Sequence, residues 1–433
     1  MAIWEKKYEC CPREELEQLQ LERLQSSLNR AYKNVSFYRK MFDRLTIVPE
    51  DISTQADFSK LPFTTKKDLH ENYPYGLFAV PLREVVRIHT TTETSLTPTV
   101  VGFTRNDLHN WANLVARFLT ASGITDDDVI QISCHYGLYT GAFGLHHGAE
   151  RIGASVIPAS SGNTEKQIRI MQDYRTTVIA TTPSYALILA EQIERLGFDP
   201  KQLLLKKGIL GGEIWSETTR QYIEERLFIE VFDNYGVSEL MGPGIAGECE
   251  ARCGMHIGED HFLPEIIDPS TGTVLPQGAT GELVLSTLTR EAFPLIRYRT
   301  GDITRLEYAP CSCGRTTVRM QRIEGRTDDI IIIKGISVLP SAIEHTLADI
   351  EGCQPHYQII VQRINNRDVL EVHVAVSEHI FFDEIKRQEF FRDKVRETLS
   401  RRLGLRVDVK LMEQKTLTEQ VRSQGRVVDR RLL

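Results

Sequence analysis

No run of apolar residues in this 433-residue chain approaches the roughly 18 that a membrane span needs, so no segment reads as a transmembrane helix. The opening stretch Met1-Ala2-Ile3-Trp4-Glu5-Lys6-Lys7 lacks the apolar centre of a secretory signal, and a cytoplasmic protein is expected. Basic runs are missing too. Arg401-Arg402 and Arg430-Arg431 are isolated pairs, read as solvated charges. With 52 Lys+Arg against 59 Asp+Glu the formal charge is −7, and the pI is ≈ 6.0. Nucleic-acid binders carry a basic patch or stripe, so neither a nucleic acid nor a membrane is expected as a partner. Cysteine is sparse. Eight in a chain of this size do not make a disulfide scaffold, and in a reducing compartment they are free thiols or metal ligands. Internal repeats and low-complexity tracts are also lacking.

What is present is ordinary for a soluble globular protein: 41% hydrophobic and 26% charged residues. The length exceeds one compact core and predicts two or three domains. Pro12 to about Arg30 reads as an amphipathic helix, with Leu16, Leu19, Leu24 and Leu28 on one stripe and proline in the first turn. A loop-rich stretch follows to about residue 80. Then strands and helices alternate. Strands are expected at 129–132, 154–158, 177–181, 208–211 and 229–232. Helices are expected at 141–153, 164–174, 184–196 and 216–226. Repeated βαβ units imply a parallel sheet covered on both faces. Ligands on such sheets sit at the carboxyl ends of the strands. Beyond about Gly272, glycine punctuation and the alternation of Gly281 to Thr287 predict a β-rich subdomain with a half-buried strand. After Gly325 comes a small α+β module. Its expected parts are a strand at 330–333, a helix at 340–349, a hairpin of 356–362 and 369–376, a helix at 382–403 and a strand at 406–411.

Three segments look like turns that present ligand-binding groups. They are Tyr235-Gly236-Val237-Ser238-Glu239, Tyr298-Arg299-Thr300-Gly301-Asp302 and Gly325-Arg326-Thr327-Asp328-Asp329. Each sets a carboxylate and a hydroxyl or guanidinium beside a glycine, which suits ribose hydroxyls, a phosphate or Mg²⁺. Any one alone reads equally well as a turn with a solvated acid. Together, in this order, they resemble the adenylate-forming superfamily, and its phenylacetate–CoA ligase branch in particular. Further segments carry the resemblance: Tyr136-Gly137-Leu138-Tyr139-Thr140-Gly141, Gly148 to Ala154, Thr182-Pro183-Ser184-Tyr185-Ala186, Gly242-Pro243-Gly244 and Pro340-Ser341-Ala342-Ile343-Glu344. It covers nearly the whole chain.

The resemblance implies an α/β fold. A large N-terminal domain, 1–327, would bind acid and nucleotide on parallel, doubly covered sheets, with the β-rich subdomain at about 272–324. A small mobile α+β lid domain would span 328–433. It implies enzymes that activate a carboxylic acid with ATP to an acyl-adenylate, after which the C-terminal domain rotates and CoA thiolate attacks. Carried over, Tyr235 would stack on adenine, Glu239 would hold Mg²⁺, and Asp302 would take the ribose hydroxyls with help from Arg326. Gly212, Glu213, Asn234, Gly236 and Ser238 would complete the AMP/ATP site, and Asp328 would be the hinge. Tyr136, Phe143, Ile214 and Pro243 would line an aromatic-acid pocket.

Two parts of the family pattern are altered. Its glycine-rich phosphate loop, of the form S-S-G-T-T-G-K-P-T, corresponds here to Thr91-Thr92-Glu93-Thr94-Ser95-Leu96-Thr97-Pro98-Thr99. Glu93 and Leu96 replace glycines where backbone N–H groups would wrap phosphates, and Thr97 replaces the lysine. Glu93 also brings a negative charge toward a triphosphate, costing on the order of 4 kcal/mol per like-charge pair at about 4 Å and an effective dielectric near 20. Near the end, alignment on Arg426-Val427 and Asp429 puts Ser423 where the family has its adenylation lysine. Loss of one such group typically lowers a rate by about 10²–10³. Both changes fall on ATP-phosphate chemistry, whereas the acid pocket and ribose contacts persist.

Three readings follow. The favoured one is a ligase-like protein that binds an aromatic or aryl-like acid, or its activated acyl thioester or adenylate, with adenylation impaired and acyl transfer retained. The others are a fully active aryl-acid–CoA ligase and a non-catalytic regulatory relative. A homodimer is the default assembly. Finally, Cys249, His256, Cys311 and Cys313 offer a closed tetrahedral set for structural Zn²⁺, with Cys253 competing with His256 for the fourth place. His146-His147 lies on a predicted helix beside the pocket and reads as a packed pair rather than a catalytic base.

Overall fold

The computed structural model describes residues 1–54, 56–91, 98–327, 331–333, 336–338, 340–364, 367–377 and 385–430. The chain separates into two compact units, Met1–Trp215 with Arg220–Arg322, and Ser216–Thr219 with Ile323–Leu433.

In the first unit, after a single helical turn at Lys6–Glu9, helix α1 (Arg13–Asn34) is started by Pro12. Leu16, Leu24 and Leu28 are fully buried on its inner stripe. Polar residues of the same helix dock it: Gln20 Nε2 donates to Glu259 O at 2.9 Å, and Ser27 Oγ to Thr287 O at 2.9 Å. The following stretch, expected to be loop-rich, contains helix α2 (Ser36–Leu45). Tyr38 and Phe42, one helical turn apart, bury their rings and account for it. A helix that the sequence reading did not identify, α3 (Arg105–Ala121), begins in a capping box, with Thr104 and Asp107 bonding each other's backbone N–H. Trp111, Leu114, Val115 and Phe118 of α3 are buried.

The expected alternation then runs β3 (Val129–Ile132), α4 (Gly141–Ile152), β4 (Ser155–Ile157), α5 (Thr164–Asp173), β5 (Val178–Thr181), α6 (Pro183–Arg195), β6 (Lys207–Gly211), α7 (Glu217–Leu227) and β7 (Glu230–Val237). Strands β4, β3, β5, β6 and β7 lie parallel in that spatial order. β5 is buried along its whole length, as a strand covered on both faces should be. Earlier in the chain, β1 (Arg87–Thr90) and β2 (Val100–Phe103) form a separate antiparallel pair.

Four expectations are corrected. Tyr235-Gly236-Val237 is not a turn after a strand but the end of β7 itself, because β8 (Gly242–Glu248) pairs with it antiparallel, Val237 opposite Gly242 and Asn234 opposite Gly247. Tyr298-Arg299-Thr300-Gly301-Asp302, expected as a turn, likewise lies within a strand, Tyr298–Glu307. The strands beyond Gly272 are not a separate sheet. β9 (Met255–Ile257), β10 (Phe262–Ile267), β11 (Thr280–Thr287), β12 (Tyr298–Glu307) and β13 (Arg319–Met320) continue the large sheet in the order β10-β11-β12-β13-β9-β8-β7-β6-β5-β3-β4. β11, read as half-buried, is buried at every residue from Gly281 to Thr287.

The second unit has a four-stranded sheet. β14 (Ile331–Ile333) and β15 (Ile336–Val338) form their own antiparallel pair. β16 (Cys353–Ile364) and β17 (Arg367–Val376) make the expected hairpin; β18 (Val407–Glu413) and β19 (Val427–Asp429) flank it in parallel, in the order β18-β17-β16-β19. Helices α8 (Pro340–Ala348), α9 (Ile385–Leu403) and α10 (Gln414–Gln424) belong to this unit. Ile343, Leu347, Ile359, Val372, Val395 and Leu399 share its core. Among the described residues no helix is long and apolar enough to cross a membrane.

Candidate functional site

The carboxyl ends of β6 and β7 gather the residues expected to handle a nucleotide. Backbone proximity shapes this end. A Cβ on Gly211 would lie 2.4 Å from Asn234 O, and one on Gly236 would lie 2.2 Å from Gly242 O. Gly212 has φ +78°, which a side chain would oppose. Asn234 Nδ2 donates to Leu210 O at 2.8 Å and ties the two strands together. Glu213 turns toward the start of α6, where its carboxylate accepts from Ser184 N at 3.0 Å and Ser184 Oγ at 2.6 Å. An acid at a helix N-terminus is favourably placed.

Tyr235 and Asp302, from β7 and β12, meet directly. The phenol Oη donates to Asp302 Oδ2 at 2.6 Å, and both residues are buried. Asp302 N donates to Thr300 Oγ1 at 3.1 Å, and Thr300 Oγ1 donates to Leu283 O at 2.7 Å, so the aspartate is braced within β12. Gly301 takes φ +79° at an irregular point of the β11–β12 ladder. Ser238 Oγ lies 2.9 Å from Thr140 Oγ1, and Glu239 beside it is buried. Behind this strand end, Arg220 holds both Glu248 carboxylate oxygens at 2.8 Å, and Glu248 Oε2 accepts from Asp233 N at 2.8 Å. Burial, then the adjacent Glu248 charge, pushes the Asp233 carboxyl up to about 7.

The residues expected to line an acid pocket are joined by aromatic contacts. The Tyr136 and Phe143 rings meet edge-on at 5.3 Å. Phe143 meets His89 at 5.6 Å, and His89 meets Trp111 at 6.0 Å. Trp111 stacks on Phe103 at 5.1 Å and donates its indole N–H to Pro243 O at 2.8 Å. Pro243 therefore connects to Phe143 through Trp111 and His89. Ile214 follows Glu213 in the turn after β6 and is half-buried. Burial lowers the His89 pKa and raises that of Tyr136.

Several participants escaped the sequence reading. Trp111 carried no motif, and nothing in the sequence marked Arg87 or His89 as neighbours of the pocket residues. The His146-His147 pair is half-buried, yet both imidazoles are hydrogen-bonded to Glu150, at 3.1 and 3.2 Å. The i, i+3 and i+4 spacing on one helix was the available signal.

Cys249, His256, Cys311 and Cys313 come together as four buried donors whose ligand atoms all lie within 4.8 Å of one another. Cys249 Sγ is 3.7 Å from Cys311 Sγ, and Cys313 Sγ is 3.4 Å from His256 Nε2. His256 Nδ1 lies 3.1 Å from Thr317 Oγ1 and 3.3 Å from Thr317 O, which leaves Nε2 facing the sulfurs. Cys253 is exposed; its sulfur lies 3.6 Å from Cys311 Sγ and accepts from Arg319 Nη1 at 2.7 Å.

Arg326 and Ser423 belong to the second unit. Ser423 is exposed in the last turn of α10, donating to Gln420 O at 3.0 Å. Asp328, and Glu93, Leu96 and Thr97 of the phosphate loop, lie outside the described residues.

Comparisons with known proteins agree with this architecture. The AMP-binding enzyme family matches residues 109–289, and the AMP-binding enzyme C-terminal domain matches residues 335–431. The chain is 47% identical to a phenylacetate-coenzyme A ligase of Thermus thermophilus over 93% of its own length and 91% of the relative's. It is 46% identical to one of Pseudomonas putida, over 96% and 94% of the two chains. Among solved structures, 2-hydroxyisobutyryl-CoA ligase in the postadenylation state with 2-HIB-AMP superposes with a TM-score of 0.90 at 28% identity, covering 99% of this chain and 92% of that one.

Proposed function

Since the chain belongs to the adenylate-forming AMP-binding enzymes, in the phenylacetate–coenzyme A ligase branch, we propose that it binds an aromatic or aryl-like carboxylic acid, free or activated, at the carboxyl ends of β3, β6 and β7. Members of this family of acid–thiol ligases use ATP, Mg²⁺ and CoA. In the proposed arrangement Tyr136, Phe143, Ile214 and Pro243 receive the acid's ring. Tyr235 and Asp302 receive the adenosine, with Gly212, Glu213, Asn234, Gly236 and Ser238 forming the rim and Arg326 assisting at the ribose. Glu239 provides a carboxylate for Mg²⁺, and Asp328 is the hinge. The observation that carries the reading is the Tyr235–Asp302 pair, a buried phenol–carboxylate contact at 2.6 Å. It sets an aromatic face and a carboxyl acceptor side by side, as adenine and ribose together require.

In this reading ATP-dependent adenylation is slow and acyl transfer to a thiol is retained. Glu93, Leu96 and Thr97 in the phosphate loop and Ser423 at the lysine position are the residues responsible. A fully active aryl-acid–CoA ligase is the second reading, favoured by 47% identity to a phenylacetate-coenzyme A ligase over nearly the whole chain. Titration with ATP·Mg²⁺ by calorimetry, with and without phenylacetate, and a pyrophosphate assay on the same sample separate the two. Weak ATP binding with measurable binding of AMP or an acyl-CoA is the expected result. Acid-dependent pyrophosphate release at ordinary rates of about 1–10³ s⁻¹ establishes the second reading instead.

The four-donor cluster is proposed as a structural zinc site. Three thiols and one imidazole suit a closed tetrahedral ion. The Thr317 partner of His256 Nδ1 fixes the tautomer that such a ligand needs. Cys253, held by Arg319, stays outside the set.

A further inference from the structure

Beside Tyr136 runs a chain of side chains whose donors and acceptors can be assigned in turn. Arg87 Nη2 lies 3.1 Å from His147 Nε2. A guanidinium only donates, so His147 Nε2 accepts and its proton sits on Nδ1. Nδ1 is 3.2 Å from Glu150 Oε2 and donates to it. The other oxygen, Glu150 Oε1, lies 3.1 Å from His146 Nε2. An ionised carboxylate only accepts, so His146 carries its proton on Nε2. In the neutral imidazole that leaves His146 Nδ1, 3.0 Å from Tyr136 Oη, as an acceptor. The phenol proton is therefore committed to His146, and the Tyr136 oxygen has only lone pairs left to offer.

Other features keep this polarity. Among the described residues Arg87 is not paired with a carboxylate: its Nη1 is buried without a hydrogen-bond partner there, and its guanidinium lies 5.3 Å over the Phe143 ring. This nearby cation disfavours a second positive charge on His147, whose pKa is lowered first by burial and also by Arg87. Burial works against Glu150, but the His147 N–H and His146 hold its pKa below the usual carboxylate range. Helix α4 supplies His146, His147 and Glu150 at successive turns, and strand β1 supplies Arg87.

We propose that the chain Arg87–His147–Glu150–His146 holds the Tyr136 hydroxyl as a hydrogen-bond acceptor toward the acid site, and so makes the site select aryl acids that carry a donor on the ring, such as a hydroxyl, over acids whose substituent only accepts. The inference rests on the reading of Tyr136 and Phe143 as the wall of the acid site. His146 and Glu150 act here as positioning residues, through Tyr136. A hydroxyl on the ring donates to the tyrosine oxygen; a fluorine of nearly the same size turns its lone pairs against it.

The test measures binding of 3- and 4-hydroxyphenylacetate, the matching fluorophenylacetates and phenylacetate by calorimetry on the full chain. The wild type binds the better-placed hydroxy acid roughly 2- to 10-fold tighter than its fluoro counterpart, the range of one net hydrogen bond. In Glu150→Gln, whose amide lets the His146 tautomer reverse, and in His146→Phe, which frees the phenol, the ratio falls by about threefold or more. Phenylacetate affinity stays as it was. Glu150→Asp, which restores the acceptor, keeps the ratio. The Glu150 side chain is 55% exposed and that of His146 21%, so neither position is in the core. If all the acids bind but the ratio is the same in Glu150→Gln and His146→Phe, the proposal is overturned and the acid-site reading stands. If no aryl acid binds the wild type, the acid-site reading fails and takes the proposal with it.

Discussion

Substituting His256 by alanine tests the metal proposal where it is most exposed to error. The imidazole is one of four buried donors, and it comes from β9, whereas Cys311 and Cys313 come from the segment between β12 and β13. An ion bound by all four closes a loop of about 55 residues between His256 and Cys311. On the chain-entropy account of cross-links, a loop of that length is worth roughly 4 kcal/mol. The first unit has on the order of 320 residues, so a cooperative transition would shift by about 6 °C for that loss. The variant is therefore expected to fall from about one zinc per chain to a small fraction and to melt about 6 °C lower. Chelation of the wild type should reproduce the shift, and zinc should reverse it.

Cys253→Ser is the matched control. Its sulfur lies near Cys311 but is exposed and bonded to Arg319. The control should keep its zinc and its melting temperature. Elemental analysis and thermal melts on the same samples give both readouts. Wild-type protein purified with zinc present that contains none, and melts identically with chelator, refutes the site. Loss of metal in Cys253→Ser but not in His256→Ala refutes the choice of donors.

Three further outcomes are expected. Ser423→Lys combined with glycine at positions 93 and 96 should raise acid-dependent pyrophosphate release by about 10²-fold or more, and an unchanged rate would remove those residues from the account of slow adenylation. Asp302→Asn should weaken AMP binding roughly 10- to 100-fold, the scale of a hydrogen bond to a charged group, while leaving phenylacetate binding intact. Because the folded Asp233 carboxyl titrates at about 7 instead of 3.8, its stabilising contribution is full below the unfolded value and is lost as pH rises through about 7. The loss is at most about 4 kcal/mol. Asp233→Asn should flatten denaturant-measured stability between pH 4 and 8, and an unaltered slope would show that the titration belongs elsewhere.

The parts of this molecule legible in its sequence are those set by nearby residues. The alternation from Val129 to Phe232 is visible because each short apolar strand is followed within a few residues by a helix with a 3.6-residue stripe. Pro12 announces α1 for the same local reason. Where partners are distant, the pattern is silent. Tyr235 to Val237 looked like a turn because glycine and serine follow it, and only the ladder to Gly242–Gly247 makes it strand. β11 reads as half-buried because its residues alternate, yet even Glu282 is buried, against Arg299 of the neighbouring β12.

The same distinction governs the candidate site. Cysteine and histidine are rare and chemically distinctive, so Cys249, His256, Cys311 and Cys313 can be grouped on residue type alone, and the fold places them together. Arg87, His147 and Trp111 are ordinary residues until the sheet brings β1 to α4 and α3 to β8. Trp111 donates to Pro243 across 132 positions, and Arg87 meets His147 across 60. Motif resemblance reaches Tyr136 and Phe143 as pocket residues, but it cannot say which way the Tyr136 proton points. That direction is decided by Glu150, one turn beyond His146, because only an acceptor there forces the imidazole to accept in turn. On the proposed reading, ring selectivity depends on a residue outside the pocket wall, and loss of the carboxylate at position 150, as in Glu150→Gln, should alter substrate preference without altering any residue of that wall.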